Sequence, residues 1–99
     1  MRVAFSAEAA ADLEDIADHI AADSPIRAQS FVRELVASAR SLGDLPRGFP
    51  LVPRYAHLGI RRRVHGVYLI FYRVDAGQVV VIHIAHDALD YDTLLFPQD

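Results

Sequence analysis

The chain has no cysteine and no lysine. Without cysteine there is no disulfide framework and no thiolate metal site. Without lysine, all 10 basic residues are arginine, whose planar fork suits bidentate pairing with carboxylate or phosphate. No run approaches the ~18 apolar residues of a membrane span. The N-terminus also lacks a signal-peptide pattern, so a cytoplasmic location is expected. Internal repeats, low-complexity tracts and linker-like stretches are missing as well. For 99 residues this predicts one domain over 1–99. What is abundant is apolar: a hydrophobic fraction of 53% excludes intrinsic disorder.

Charge is unevenly spread. Residues 1–26 hold one Arg and six acids, net −5. Residues 27–73 hold nine Arg and two acids, net +7. Residues 74–99 hold five acids and no Arg, net −5. The basic middle therefore suits an acidic partner or the chain's own acidic ends.

The pattern is organised around residues 59–86, three strand-like runs joined by tight turns. Residues 67–74 and 79–85 are rich in β-branched and aromatic side chains, which suit a half-buried pleated surface. His65-Gly66 and Asp75-Ala76-Gly77 break the runs, and the spacing predicts an antiparallel meander over 60–65, 67–74 and 78–86. Before it, Val3 and Phe5 mark a short first strand. Ser6 is placed as a helix N-cap, and Ala9, Leu13, Ile16, Ala17 and Ile20 recur at helical spacing to about residue 22. Asp12, Asp15 and Asp18 are expected on the solvated side. Ser24-Pro25 starts a second helix, with Phe31, Val32 and Leu35 on its apolar stripe and Gly43 as a left-handed terminator. Two helices so closely joined form an antiparallel hairpin. Residues 45–58 read as an ordered loop pinned by Leu45, Phe49, Leu51, Val52 and Tyr55. Residues 88–96 suggest a short helical element. The fold class is α+β, in the order β-α-α-β-β-β: a helix hairpin on an antiparallel sheet, with a short C-terminal element.

Arg61, Arg62 and Arg63 are consecutive on a strand, so Arg61 and Arg63 share one face and Arg62 takes the other. They are candidates for contact with phosphate or an acidic partner, or for a charged edge that resists aggregation. Tyr72 and Arg73 join that candidate partner surface, although Tyr68 and Tyr72 also suit the core. His86 is a candidate for acid–base work or for a structural hydrogen bond at the strand end. His83 is expected to pack against its neighbours, and at i, i+3 the two histidines make a poor metal pair. Asp87, Asp90 and Asp92 form only a loose carboxylate group. No cofactor or metal is expected.

Several phrases, in order, resemble the RelE/ParE superfamily of toxin–antitoxin toxins, nearer the ParE branch. They are Val3-Ala-Phe-Ser6, Ala10-Ala-Asp-Leu13, Ile16-Ala-Asp-His-Ile20, Ser24-Pro25-x-x-Ala28, Leu42 with Pro46, Gly59-Ile-Arg61, Tyr68-Leu-Ile-Phe-Tyr-Arg73 and Ile84-Ala-His86. Together they span nearly the whole chain. The resemblance implies a small cytoplasmic toxin, held in a hetero-oligomer by a cognate antitoxin laid over the helices and sheet. It implies DNA gyrase as the target, bound rather than chemically altered. The alternative it allows is a ribosome-dependent mRNA endonuclease, with Arg61, Arg63, His86 and Tyr91 as catalytic candidates. A third possibility is a degenerate toxin that retains only antitoxin binding. One departure stands out: where the ParE-like pattern runs His-x-x-Arg-Asp, this chain has His86-Asp87-Ala88-Leu89-Asp90.

Overall fold

A computed structural model describes residues 1–88 and 95. Strand β1 (Arg2–Phe5) leads into helix α1 (Ala7–Ala21), and helix α2 (Pro25–Arg40) returns beside it. Strands β2 (Arg61–His65), β3 (Tyr68–Asp75) and β4 (Gln78–His86) complete the chain order. Both helix starts follow the expected chemistry. Ser6 Oγ accepts from Ala9 N at 3.0 Å, and Ser24 Oγ accepts from Arg27 N at 3.2 Å. Among the described residues no helix is long and apolar enough to cross a membrane.

The end of α2 differs from expectation. The helix tightens into a 3₁₀ turn over Ser41–Gly43, and Gly43 is not left-handed. Glycine is needed there for space: an added Cβ would run into the Met1 carbonyl oxygen. The N-terminus is tied to the same spot, with Met1 N donating to the Gly43 carbonyl at 2.9 Å.

The sheet order is β1-β4-β3-β2. The meander β2-β3-β4 is antiparallel as expected, but β1 pairs parallel to β4, so the whole sheet is mixed. The parallel partner arises because Ser6, its N–H held by the Val81 carbonyl at 2.9 Å, hands the chain straight from the β4 edge into α1. Two-residue turns close both hairpins. At Ala76-Gly77 both residues have positive φ (50° and 77°), the turn whose twist matches paired strands.

β3 is apolar on both faces, and the chain covers both. Tyr68, Ile70 and Tyr72 face the helices, in one core with Ile16, Leu35 and Leu42. Leu69 and Phe71 face the other way, packed with Val52, Tyr55 and Ile60 beneath a 3₁₀ segment, Pro53–Leu58. The loop before β2 is thus pinned by Val52 and Tyr55, whereas Leu45 is 60% exposed. Phe31 is half-buried rather than central, its ring 5.5 Å from that of Tyr68 and 5.8 Å from that of His65.

A β-bulge breaks the alternation in β4. Phe71 pairs with His83 but Tyr72 pairs with Val81, so Ile82 is the extra residue. The inward series therefore runs Val79, Val81, Ile84, and Ile82 packs on the outer face.

Candidate functional site

β2 is an edge strand, and its arginines divide as the alternation predicts. Arg61 Nη1 donates to the Phe49 carbonyl at 2.7 Å and to the Arg47 carbonyl at 3.3 Å. Arg63 Nη1 donates to the Ser38 carbonyl at 2.9 Å and to Ser41 Oγ. Its guanidinium also lies 4.7 Å over the Phe49 ring. Both cations thus serve the carbonyl-rich end of α2 and the loop that follows, where the helix dipole favours positive charge. Arg62 lies on the opposite face, half-buried and with no side-chain partner among the described residues. Arg73 is exposed and reaches Asp75 at 3.4 Å, a surface pair of little energetic weight.

Tyr72, expected on a partner surface, is fully buried, and its hydroxyl donates to the Pro46 carbonyl at 2.9 Å. Burial pushes its phenol up, against the lowering pull of Arg61, a Phe49 backbone hydrogen bond and Arg63. It is a core residue that anchors the loop, not a contact surface.

His83 and Asp12 form an arrangement that alternation alone does not predict. β1 stops pairing with β4 at Phe5, opposite Val81, so the β4 edge is open beyond that point. α1 fills the gap with side chains. Ser6 Oγ donates to the Ile82 carbonyl at 2.7 Å. Asp12 Oδ2 accepts from Ile84 N and contacts His83 Nδ1, both at 2.8 Å. The side chains of Asp12 and His83 are only 19% and 13% exposed. Asp12 is therefore not on the solvated side expected for it. A signal exists in its position: it lies three residues after Ala9 and four before Ile16, both buried, so it borders the apolar stripe.

His86 sits on the helix-bearing side, its ring 5.4 Å from that of Tyr68. Its Nδ1 is 3.0 Å from Ala88 N and 3.3 Å from Asp87 Oδ1. One nitrogen cannot accept from Ala88 and donate to Asp87 at once. The shorter contact makes Nδ1 the acceptor and assigns the proton to Nε2. In register, His86 pairs with Tyr68, and Tyr68 with His65, whereas Arg63 pairs with Ile70 and Arg61 with Tyr72. Strand spacing and rise put the His86 backbone roughly 12 Å from that of Arg63 and farther from that of Arg61. The structure thus does not bring these catalytic candidates together. Tyr91, with Leu89, Asp90 and Asp92, lies outside the described residues. Among the described residues no group of His, Asp or Glu is placed to hold a metal ion.

An open groove of about 470 Å³ runs between α1 and the end of β4. Asp15 and His19 line it beside His86, and neither was a candidate from sequence.

The sequence pattern of the ParE toxin of the type II toxin-antitoxin system parDE matches residues 3–91. A solved chain of the chromosomal ParDE TA system from P. aeruginosa has a TM-score of 0.73 to this one at 24% identity. The similarity covers 87% of this chain and 95% of that chain. No curated protein matches. At that identity the structural likeness speaks to the fold, whereas the family match spans nearly the whole sequence: the chain belongs to the ParE toxin family of type II toxin–antitoxin systems.

Proposed function

We propose that this chain is the toxin of a type II module and acts in the cytoplasm by binding a macromolecular target, DNA gyrase, rather than by catalysis. A cognate antitoxin neutralises it in a hetero-oligomeric complex. The observation that carries the reading is the fate of Arg61 and Arg63. A nuclease needs cations free to receive a phosphorane, aimed at a common point with an acid–base group. Here both guanidiniums are bonded to the chain's own carbonyls, and His86 lies two strands away. The net charge of −3 also suits poorly an enzyme that must gather many phosphate contacts. An antitoxin interface above about 1,000 Å² is expected.

Two assays on one purified sample test this. Gyrase supercoiling should be inhibited by the wild type and by His86→Ala alike, while mRNA in a purified translation reaction stays intact. Ribosome-dependent cleavage that is lost in His86→Ala would overturn the proposal in favour of a nuclease. Absence of both activities would overturn it in favour of a chain that only binds antitoxin.

A further inference from the structure

β4 ends on a histidine whose ring is bonded to the backbone that leaves the strand. The Asp87 N–H is still held by the sheet, donating to the Val67 carbonyl at 2.8 Å. The next N–H, of Ala88, is the first beyond the sheet, and its acceptor is His86 Nδ1 at 3.0 Å. The same nitrogen lies 3.3 Å from Asp87 Oδ1. These two contacts require opposite states of it. Ala88 needs a lone pair, which only the neutral ring with its proton on Nε2 offers. Asp87 needs an N–H, which Nδ1 carries once the ring holds a second proton. The His86 side chain is 43% exposed, so that proton comes directly from water. Other titratable groups surround the ring at longer range. α1 presents Asp12, Asp15 and His19 to the same groove, and no arginine lines it. β3 presents Tyr68, its ring at 80° to that of His86. From β2, His65 lies beyond Tyr68 in the same register row. Asp12 is already engaged by Ile84 N and His83. Among the described residues Asp87 is therefore the carboxylate within bonding distance of His86.

We propose that His86 is a proton-operated latch on the backbone leaving β4. Neutral, it holds the Ala88 N–H. Protonated, its Nδ1–H donates to Asp87 Oδ1, and the Ala88 N–H turns to water. No rotation of the ring is needed, because one nitrogen changes from acceptor to donor between two groups already beside it. Imidazole is the side chain suited to such a change near neutral pH. The latch concerns residues 86–88 and not the target, so it stands or falls separately from gyrase inhibition.

A pH titration of the full chain by nitrogen-15 NMR tests this. In the high-pH limb, the His86 ring nitrogens should report the neutral tautomer with Nδ1 unprotonated. As the ring protonates, the protection of the Ala88 amide against exchange should fall by about threefold or more relative to that of Asp87. Asp87 is the internal reference, since its N–H stays on the Val67 carbonyl in both states. His86→Asn supplies an acceptor for the N–H two residues on that does not titrate, so the Ala88 transition should vanish. His19→Asn removes the imidazole across the groove and should leave the transition in place. A neutral tautomer protonated at Nδ1 would overturn the proposal. So would an Ala88 amide that keeps its protection while the His86 ring titrates, or a transition that survives in His86→Asn. Loss of the transition in His19→Asn would assign the proton to the other histidine and overturn it as well. The tautomer and the Ala88 protection are read on the wild type, so they decide the matter even where a variant fails to fold.

Discussion

Asp12→Ala should be among the most damaging single changes on α1, although Asp12 belongs to a run of acids that looks solvated. Two 2.8 Å contacts end on its Oδ2, from Ile84 N and from His83 Nδ1. Ile84 is 3% exposed, so its backbone N–H would be left without a partner and with little water to replace it. An orphaned buried donor costs roughly 1–3 kcal/mol, and losing the His83 contact adds about 1 kcal/mol. The expected destabilisation is therefore about 2–4 kcal/mol, or a fall in Tm of roughly 10–20 °C for a domain this size. Urea unfolding followed by far-ultraviolet circular dichroism gives the free energy. Hydrogen exchange at the Ile84 amide reports the site itself and should accelerate more than its neighbours in β4. Asp12→Asn keeps an acceptor and should recover part of the loss. Asp15→Ala, an exposed neighbour, should stay within about 0.5 kcal/mol of the wild type. An Asp12→Ala protein that unfolds with the wild type and exchanges Ile84 no faster would refute the bulge-capping role.

Arg63→Ala should destabilise by about 1.5–3 kcal/mol, because a charged donor leaves the Ser38 carbonyl. Arg63→Lys should recover little of this in a thermal melt, since the planar fork and its stacking over Phe49 are lost. Burial raises the Tyr72 phenol above 10.0, so the folded chain holds that proton more tightly than the unfolded chain. Its contribution is complete below pH 10.0 and is lost as pH rises past that value. An absorbance titration should show a late tyrosinate contribution that Tyr72→Phe removes, and a high-pH limb unchanged in that variant would contradict it. Ala76 holds a φ of 50°, which is strained for alanine. Ala76→Asn should raise the urea midpoint, by about 0.5–1 kcal/mol of stability, and a fall would mean that the turn is not limiting.

The elements were legible because each carried a local signal. Ser6 and Ser24 cap their helices, and Ala76-Gly77 closes a hairpin, all through contacts within a few residues. What stayed hidden depends on where distant segments meet. The parallel pairing of β1 with β4 joins residues more than seventy apart, and no periodicity within β1 encodes it. Gly43 belongs with it: its constraint is the Met1 carbonyl oxygen, a neighbour in space only, and not a left-handed backbone. The bulge at Ile82 is subtler still. A run of β-branched residues reads alike with or without one extra residue, yet the shift decides that Ile84 rather than His83 faces the core.

The candidate site was less legible than the fold, and the arginine run shows why. A cation on a strand reads alike whether it awaits a partner or is bonded to the chain itself. The alternation of Arg61, Arg62 and Arg63 was readable, but apart from Ser41 Oγ the acceptors of Arg61 and Arg63 are backbone carbonyls, which have no sequence identity. The same blindness hid Tyr72, whose acceptor is the Pro46 carbonyl. Three side chains from the proposed contact surface thus hold the segment from Ser38 to Phe49 against the sheet. Substitutions there will change stability before they change any interaction. A loss of toxicity in Arg61→Ala, Arg63→Ala or Tyr72→Phe identifies a contact only where the melting temperature is unchanged. Arg62, half-buried, and Arg73, exposed, lie outside that network on the opposite face of the sheet. Their substitution is the direct test of whether positive charge on this sheet meets a partner.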